Sequence, residues 1–550
     1  MSKESRPFAS SSPALGDLDT GKTCVVRSPD RPRVSQLDSF PTVDRTLIDF
    51  AKYARKIGMA FATNVVCIMA TRGCPYRCAY CHRIWPSKQV ARSPESLLEE
   101  IELYYSVGVR RFSFLDDAFN SNVKWSARFF RLLAKSNMKV QLFFPNGLRG
   151  DLLTPDYIDL MVEAGTVHVI LALETGSARL QKLIRKNLDL DKFRRAADYI
   201  TTDHPQIRFD MFFMMGFPTE TEEEVKETLD FAMSIQWLHF PFMNVLKIYP
   251  ETEMAAIARE NGVSEEAIRK SISMEYHDLP HTMPFPKTVA RKAQMYLYEK
   301  YFLNPERIRR VLPVQLDLYS ETELIQIYDS YLPAQIRTFD DLLARLGLSG
   351  EETTRLPSAK EIAEPIPDIN SRLRKLFPRH APSPEALRIL LLDVSCTFSS
   401  ERGVVFDNVV EQPLGLMSLL TYLNHALGDR ITGRIAKSHV DFDSFDELRA
   451  LVEEFCPQII GLRALTRYSG LFHRTATQLK GWLPTVPIIA GGPYATSSPD
   501  EILQDTHVDV VVIGEGEITL AELSQAFIDN QRRLPAPEVL EGIPGVAFRA

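Results

Sequence analysis

The stretch NVVCIMATRGCPYRCAYCHRIW (64–85) joins an apolar run to three closely spaced cysteines. Its first seven residues have the length and β-branched content of a buried strand, and Cys74, Cys78 and Cys81 follow at the spacing C-x3-C-x2-C. Three thiolates on one short loop can each ligate one iron of a cubane and leave the fourth iron open to a small-molecule chelate. A zinc site needs a fourth protein ligand, and His82 is badly placed to supply it. The stretch predicts an iron–sulfur loop after a strand.

From about residue 60 to residue 260, short apolar runs alternate with amphipathic helical segments. This alternation is typical of parallel strands joined by crossover helices. Segments such as SPESLLEEIELYYSVG (93–108) and TPDYIDLMVEAG (154–165) begin with Ser or Thr followed by Pro and stop at Gly, as capped helices do. We therefore predict a partial, TIM-like (β/α)6 barrel. Its strand candidates are 64–70, 110–116, 139–145, 168–174, 208–216 and 242–250.

A second alternating unit follows a segment rich in Pro and charged residues. Its apolar runs are separated by helical stretches, which predicts a doubly wound, Rossmann-like parallel sheet in an α/β chain. Its strand candidates are 388–394, 458–464, 486–492 and 508–514. The predicted organisation is a flexible tail (1–35), a barrel with an N-terminal linker (36–260), a helical extension (261–350), a second linker (351–387) and the second sheet (388–550).

Composition narrows the possible functions of this 550-residue chain. A net charge of -7 provides no bulk basic field for nucleic acid, so nucleic acid is not an expected partner. The first residues lack the apolar core of a signal peptide, and no later run has the length of a membrane span. Seven cysteines are too few for a disulfide scaffold, and clustered thiols favour metal chemistry in a reducing compartment. We expect a cytoplasmic protein.

The cysteine loop and its setting resemble the radical S-adenosylmethionine (SAM) superfamily. The resemblance rests on the cysteine spacing, on the aromatic Tyr80 before the last cysteine, and on the position after the first barrel strand. It implies a [4Fe-4S] cluster on Cys74, Cys78 and Cys81 whose open iron binds the amino and carboxylate groups of SAM. It also implies cleavage of SAM to a 5′-deoxyadenosyl radical.

The same resemblance implies a set of SAM contacts at the carboxyl ends of the barrel strands. Asp116 and Asp117 match positions that hold the SAM amino group, Glu174 matches a ribose or methionyl contact, and Gly216 would let adenine lie on the backbone. The full set of expected SAM-binding residues is Tyr80, Asp116, Asp117, Asn146, Glu174, Lys186 and Gly216, with Arg149 as a further candidate. No residue is assigned a catalytic role.

The second unit resembles the cobalamin-binding domain of cobalamin-dependent radical SAM enzymes. The resemblance rests on PLGLMSLLTYL (413–423), GGPYAT (491–496) and the GEGE run that begins at Gly514. It implies a base-off cobalamin without a protein histidine on cobalt, because the first turn (393–403) contains no histidine. The expected cobalamin contacts are Arg463, Thr466, Arg467, Gly491, Gly492, Tyr494, Thr496, Gly514, Glu515 and Gly516.

The order of the two units departs from that family, in which the cobalamin domain usually precedes the barrel. Residues 21–50 resemble the linker that normally leaves a cobalamin domain, and GIPGVAFRA (542–550) resembles the point where such a linker begins. One interpretation is a fragment of a tandem protein, with a second barrel beyond Ala550, and we place it slightly ahead. The other is a rearranged enzyme whose cobalamin domain folds back over its own barrel.

The resemblance implies cobalamin-dependent methyl transfer to an unactivated carbon of a small-molecule or biosynthetic-intermediate substrate. It also implies an external electron donor of the flavodoxin or ferredoxin type. Alternatives are a cobalamin-dependent cyclase or rearrangement enzyme, a cobalamin-free radical SAM enzyme, and a non-enzymatic iron–sulfur or cobalamin sensor. The sensor has least support, because the sequence shows no DNA-binding motif or basic patch.

Overall fold

The computed structural model describes residues 24–82, 84, 87–274, 278–331, 336–348, 362–378, 381–401 and 410–549. Within them, the first half of the chain contains a six-stranded sheet in which every neighbouring pair is parallel. Its strands, in spatial order, are β2 (Val65–Ile68), β5 (Arg111–Phe114), β6 (Gln141–Leu148), β7 (Thr166–Glu174), β8 (Arg208–Met215) and β9 (Pro241–Val245). Spatial order follows chain order, as in a partial barrel.

These strands are apolar along most of their length because helices cover the sheet from outside while the interior is also packed. The predicted partial barrel is confirmed, and all six strand candidates form strands; the last ends at Val245 rather than at residue 250. The helices of this half are α1 (Phe50–Ala54), α2 (Pro94–Ser106), α3 (Val123–Lys135), α4 (Pro155–Glu163), α5 (Ala178–Leu183), α6 (Leu190–Asp203) and α7 (Glu222–Met233).

Helix caps predicted from the sequence are present in the structure. Ser93 and Thr154 accept hydrogen bonds from the backbone N–H groups of Ser96 and Tyr157, and a proline opens the first turn of α2 and of α4. Helices follow the last barrel strand. They are α8 (Glu253–Glu260), α9 (Glu265–Ile272), α10 (Lys287–Leu297), α11 (Pro305–Leu318), α12 (Glu321–Tyr331) and α13 (Phe339–Arg345), and α14 (Ile369–Leu376) follows.

The second half forms a doubly wound sheet, as predicted. Its order is β1 (Val25–Arg27), β15 (Val546–Arg549), β14 (Val510–Val512), β13 (Ile488–Gly491), β12 (Ile459–Arg463), β10 (Leu387–Asp393) and β11 (Ile431–Lys437). The five strands from β14 to β11 pair in parallel, and β15 and β1 add antiparallel pairs at one edge. Its helices are α15 (Leu414–Leu427), α16 (Phe445–Phe455), α17 (Ser469–Trp482), α18 (Gly492–Ser497), α19 (Pro499–Gln504), α20 (Gly516–Asp529) and α21 (Pro537–Glu541).

Part of the segment that we predicted to be a flexible tail (1–35) is instead a strand of this second sheet. Residues 1–23 lie outside the described residues, but β1 pairs with β15, and Val25 lies opposite Arg549. Because its partner lies more than 500 residues away in sequence, periodicity alone did not reveal it. The predicted linker 351–387 lies partly outside the described residues; α14 lies within its described part, and β10 begins at Leu387.

Two more strands of the second sheet were not predicted. Strand β11 alternates polar and apolar residues at the sheet edge, and β15 is only four residues long, so neither has the apolar run that marks a central strand. A short ribbon was also missed: β3 (Thr71–Arg72) pairs antiparallel with β4 (Val90–Ala91) at the two ends of the cysteine loop. This ribbon closes the base of that loop.

The two halves share one hydrophobic core. Ile48 and Tyr53, which precede the barrel strands, and Cys67 on β2 pack in the same buried cluster as Leu391 and Met417 of the second half. The described second sheet therefore folds back onto the barrel of the same chain, which is the arrangement that the rearranged-enzyme interpretation requires.

The pairing of β1 with β15 predicts that the chain tolerates a change of domain order. A permuted variant would join residue 549 to residue 24 through a turn of about four residues and open the chain within residues 351–361. We expect cooperative unfolding with a Tm within about 5 °C of the parent, because the new turn connects strands that are already paired. Differential scanning calorimetry measures this.

The matched control is the same permutant with Val26→Pro. Val26 lies opposite Phe548 in the middle of β1, and proline removes a ladder donor there. The control should melt below the permutant. Equal melting of the two, or a permutant that does not fold, would show that the β1–β15 pairing does not hold the sheet edge.

Candidate active site

The cysteine loop leaves the barrel between β2 and β5. Cys74 and Cys78 are half-buried and Cys81 is exposed, and none is in a disulfide. The backbone N–H of Cys81 donates to the carbonyl of Cys78, and that of Ala79 donates to the carbonyl of Ile184. Among the described residues, no group of three or more His, Cys, Asp or Glu side chains already has the geometry to hold a metal ion.

Asp116 holds the strand-to-loop turn rather than facing a ligand. Its carboxylate accepts hydrogen bonds from the backbone N–H groups of Ala70 and Thr71 and from the Thr71 hydroxyl, and the side chain is buried. Burial raises the pKa of Asp116 to about 7, although these hydrogen bonds oppose the rise. The expected contact between Asp116 and the SAM amino group is therefore not what the geometry favours. The neighbouring Asp117 does line the cavity described below.

Glu174, Tyr80 and Lys186 form one hydrogen-bonded group beside the cysteine loop. The Tyr80 hydroxyl and the Lys186 ammonium donate to Glu174 Oε1 at 3.0 and 2.6 Å. Glu174 ends β7 with a φ of +67°, where the β7–β8 register shifts, and this unusual backbone turns the carboxylate at the strand end. Burial raises the pKa of the Cys78 thiol, and the charge of Lys186 opposes that rise. Three predicted SAM residues thus meet near a cluster cysteine.

Gly216 lies in a tight turn that only glycine suits. Its φ is +93°, and an added Cβ would lie 3.1 Å from Met283 Cγ. The carboxylate of Glu220 accepts the backbone N–H groups of Gly216 and Phe217, and burial raises the pKa of Glu220 to about 8. The turn is held from inside by a carboxyl group that sequence reasoning did not single out.

Arg149 ties the loop to the turn after α5. Its guanidinium lies 4.2 Å from the ring centroid of Tyr76, a residue that stands between Cys74 and Cys78 in the sequence. The guanidinium also donates hydrogen bonds to the backbone carbonyls of Lys186 and Asn187. This stacking and hydrogen bonding fix the loop against the Glu174 group.

One cavity of about 950 Å³ lies between the barrel mouth and the second sheet. Asp117 and Asn146, both predicted SAM contacts, line it from the barrel side, and His82 of the cysteine loop stacks on Tyr249 at its wall with ring centroids 4.3 Å apart. Deeper in the barrel its wall is apolar, formed by Phe61, Ile170, Phe212 and Phe242. The barrel therefore offers an interior with an apolar wall that opens toward the second sheet.

The opposite wall comes from the carboxyl ends of the second sheet. Asp393 is fully buried and bonds to Lys437 Nζ at 2.7 Å and to Arg463 Nη1 at 2.8 Å. Burial would raise the pKa of Asp393, but Arg463 and Lys437 together hold it well below its usual range. The carboxylate stays ionised, and the group carries one net positive charge at the cavity wall.

Most of the predicted cobalamin residues line this wall: Arg463, Thr466, Arg467, Gly491, Gly492, Thr496, Gly514, Glu515 and Gly516. Gly492 and Gly514 have φ of +84° and +80°, and an added Cβ on Gly492 would lie 2.6 Å from Arg463 Cγ. The Thr466 hydroxyl is buried without a hydrogen-bond partner. An orphaned hydroxyl and the open space beside Gly514 are features that a polar ligand would complete.

Tyr494 is the exception. It is buried, its ring packs edge-on against Phe472 with centroids 5.5 Å apart, and its hydroxyl pairs with His473 Nε2 at 2.9 Å. Among the described residues, Tyr494 is absent from the cavity lining, so the expected ligand contact is replaced by a contact inside the second domain.

Two family models match the chain. The Radical SAM superfamily model matches residues 68–232, and the B12 binding domain model matches residues 408–524. The chain carries a radical SAM domain and a B12-binding domain. The predicted resemblance to both domains is thereby confirmed, and these domains imply the predicted cofactor set of [4Fe-4S] cluster, SAM and cobalamin.

Curated relatives match parts of the chain. An uncharacterized methyltransferase of Pyrococcus horikoshii is 25% identical over 256 residues, which cover 45% of this chain and 52% of the relative. The cytidylyl-2-hydroxyethylphosphonate methyltransferase of Streptomyces wedmorensis is 26% identical over 228 residues, covering 39% and 41%. A tRNA-2-methylthio-N(6)-dimethylallyladenosine synthase of Hydrogenobaculum is 25% identical over 237 residues, covering 40% and 49%. The chain thus spans about half the length of these relatives, or less.

Among solved structures, the radical SAM methyltransferase TsrM from Kitasatospora setae, with tryptophan and a SAM analogue, matches with 19% identity and a TM-score of 0.34. The match covers 39% of this chain and 40% of that chain. The cobalamin-dependent SAM radical enzyme OxsB, with aqua-cobalamin and SAM, matches with 14% identity and a TM-score of 0.35, covering 57% and 53%. No helix among the described residues is long and apolar enough to cross a membrane.

The residues present fit the implied cofactors. Three thiols free of disulfides on one loop are a suitable donor set for a cluster, and the Glu174–Lys186 pair beside them offers both charges to an amino acid group. The orphaned Thr466 hydroxyl and the glycine turns of the B12-binding domain fit a large polar ligand. Sequence reasoning missed Asp393 and Lys437. Asp393 ends the apolar run of β10, which was an available signal, whereas Lys437 ends β11, a strand that was not predicted.

Replacing Cys74, Cys78 and Cys81 together by Ala should remove the cluster and leave a folded protein. The loop lies at the barrel mouth and its thiols are at least partly exposed, so we expect the Tm of the cluster-free form to change by less than about 3 °C. Iron and acid-labile sulfide, about four of each per loaded chain, should fall to background.

The control for this variant is Cys24→Ala, since Cys24 is exposed and distant in sequence from the loop. It should keep the full iron content. Retention of iron and of the Mössbauer signature of a [4Fe-4S] cluster in the triple variant would contradict the assignment of the ligands.

Replacing Glu174 by Gln should weaken SAM binding about tenfold without loss of iron. The change removes the negative partner of Lys186 in a buried group, and a tenfold loss corresponds to about 1.4 kcal/mol. Equilibrium dialysis of labelled SAM against cluster-loaded protein measures it. Glu163→Gln, an exposed change on α4, is the control. Equal affinities in the two variants would exclude Glu174 from SAM binding.

Proposed function

We propose that this chain is a cobalamin-dependent radical SAM methyltransferase that methylates an unactivated carbon of a small-molecule or biosynthetic-intermediate substrate. The observation that carries the proposal is a cavity lined by residues of both domains, among them Asn146 of the barrel and Gly491 of the second sheet. When bound, SAM and the cluster supply a 5′-deoxyadenosyl radical, and cobalamin supplies a methyl group. One cavity lets a substrate face both.

Residues of the barrel would bind SAM, and residues of the second sheet would bind cobalamin. Glu174, Lys186 and Tyr80 orient SAM beside the cluster loop, and Asp117 and Asn146 complete the barrel side of the cavity. The apolar wall deeper in the barrel would shield the substrate from solvent and confine it beside the two cofactors. Arg463, Thr466 and the glycine turns hold cobalamin at the facing strand ends.

The names of two relatives support methyl transfer. The relatives of Pyrococcus horikoshii and Streptomyces wedmorensis are named methyltransferases. Electrons would come from an external flavodoxin- or ferredoxin-type donor, for which the exposed Cys81 marks the accessible side of the loop. A cytoplasmic location suits the clustered thiols, and the net charge of -7 gives no support to a nucleic-acid substrate.

The proposal is tested with the reconstituted enzyme, a chemical reductant, SAM carrying a trideuterated methyl group, and a small-molecule extract from a strain that lacks the gene. We expect one extract component to gain the trideuteromethyl group while 5′-deoxyadenosine and S-adenosylhomocysteine form. The variant that lacks Cys74, Cys78 and Cys81 is the control and should give none of these products.

Other outcomes select among the alternatives. Consumption of an extract component with 5′-deoxyadenosine but without deuterium would support the cyclisation or rearrangement enzyme. Product formation in protein that binds no corrin would support the cobalamin-free enzyme. Absence of 5′-deoxyadenosine from protein with a complete cluster would contradict radical SAM activity and support a sensor.

A further inference from the structure

An ion-pair group joins the cluster loop of the barrel to the glycine turn of the B12-binding domain. Arg72, on β3 and two residues before Cys74, places Nη2 2.5 Å from Glu517 Oε1 and Nη1 3.3 Å from Glu517 Oε2. Its Nη1 also lies 3.5 Å from Glu515 Oε1. The two ends of this contact are separated by 445 residues in sequence.

Both partners are nearly enclosed. The side chains of Arg72 and Glu517 are 12% and 7% exposed. Burial would raise the pKa of Glu517, but Arg72 holds it below its ordinary value, so the carboxylate stays charged. A two-pronged contact between a planar guanidinium and a carboxylate fixes distance and orientation together, which a single point charge cannot do.

Each end of the contact is itself fixed within its own domain. On the barrel side, Asp116 holds the backbone and hydroxyl of Thr71, the neighbour of Arg72. On the other side, the Ser418 hydroxyl of α15 donates to Glu517 at 3.0 Å, and Glu517 lies in the first turn of α20. The pair therefore connects two rigid anchors rather than two flexible loops.

We propose that Arg72 is a positioning residue that sets the distance between the cluster loop and the cobalamin-binding turn. Arg72, Glu515, Gly516 and Glu517 all line the shared cavity, so a change in this contact changes the spacing across the space where a substrate would sit. The inference rests on the proposed function in one respect: the spacing matters for methyl transfer only if that function is correct. Buried ion pairs contribute little net stability, which suits a role in register rather than in folding.

The test measures the spacing directly in full-length protein loaded with cluster and cobalamin. Pulsed electron paramagnetic resonance of the reduced cluster and cob(II)alamin reports the distance between the two spins, without any need for substrate. We expect one narrow distance in the parent and a broadened or displaced distribution in Arg72→Lys, which keeps the charge but loses the two-pronged contact.

A matched control is Arg474→Lys. Arg474 makes a similar two-pronged contact with Glu401, at 2.9 and 2.7 Å, but both residues belong to the second domain and are more exposed. It should keep the parent distance.

A second variant, Arg72→Gln with Glu517→Gln, removes both charges and leaves no unpaired ion inside the protein. It should also broaden the distance. A parent-like distance in both variants would overturn the proposal, and so would a failure of both to fold while Arg474→Lys folds, since the pair would then serve folding. The distance is measured without methyl transfer. It can therefore be interpreted even if the proposed function is wrong.

Discussion

The buried carboxylate of Asp116 fixes the point at which the barrel meets the cluster loop. A buried carboxylate is costly unless its oxygens are satisfied, and here two backbone N–H groups and the Thr71 hydroxyl satisfy them. Because Asp116 follows β5 and binds Ala70 and Thr71, the chain after β2 passes the end of β5. The β3–β4 ribbon begins at this point, with Thr71. The loop with the three cysteines and the side chain of Arg72 both take their direction from this turn.

The sequence predicted the parts of the fold whose signal is local. Runs buried on both faces, such as 208–216, gave strands to within a few residues, and Ser93 and Thr154 gave helix starts. It missed strands whose signal is not local. Strand β1 forms only because it pairs with the distant β15. Strand β11 lies at the sheet edge, where its outer residues are polar. Periodicity carries no information on such pairings.

The same distinction holds within the site. The spacing of Cys74, Cys78 and Cys81 is enough to predict them as cluster ligands, and that assignment stays a prediction. The family resemblance assigned Asp116 and Tyr494 to ligands, yet both turn into the protein, where hydrogen bonds to Thr71 and His473 satisfy them. A strand end specifies where a side chain begins; the partners that satisfy its polar atoms decide where it points.

Domain order along the chain matters less than the pairing of elements in space. The antiparallel β1–β15 pair completes the edge of the second sheet, and β1 leads directly into the segment before the barrel. The chain thus enters the barrel from the B12-binding domain, as in enzymes with the usual order, although most of that domain follows the barrel in sequence.

Two kinds of contact keep the domains together, and they do different things. Apolar contact around Ile48, Leu391 and Met417 supplies the driving force for association, but it is non-directional and tolerates sliding. Polar contacts remove that freedom: the Gln412 amide donates to the Val65 carbonyl at 2.6 Å, and Arg45 donates to Gln412 Oε1 at 3.1 Å. Because an unpaired buried polar group is penalised, only one register satisfies them all. Chemistry that uses two cofactors across one cavity needs that single register, which apolar packing alone would not specify.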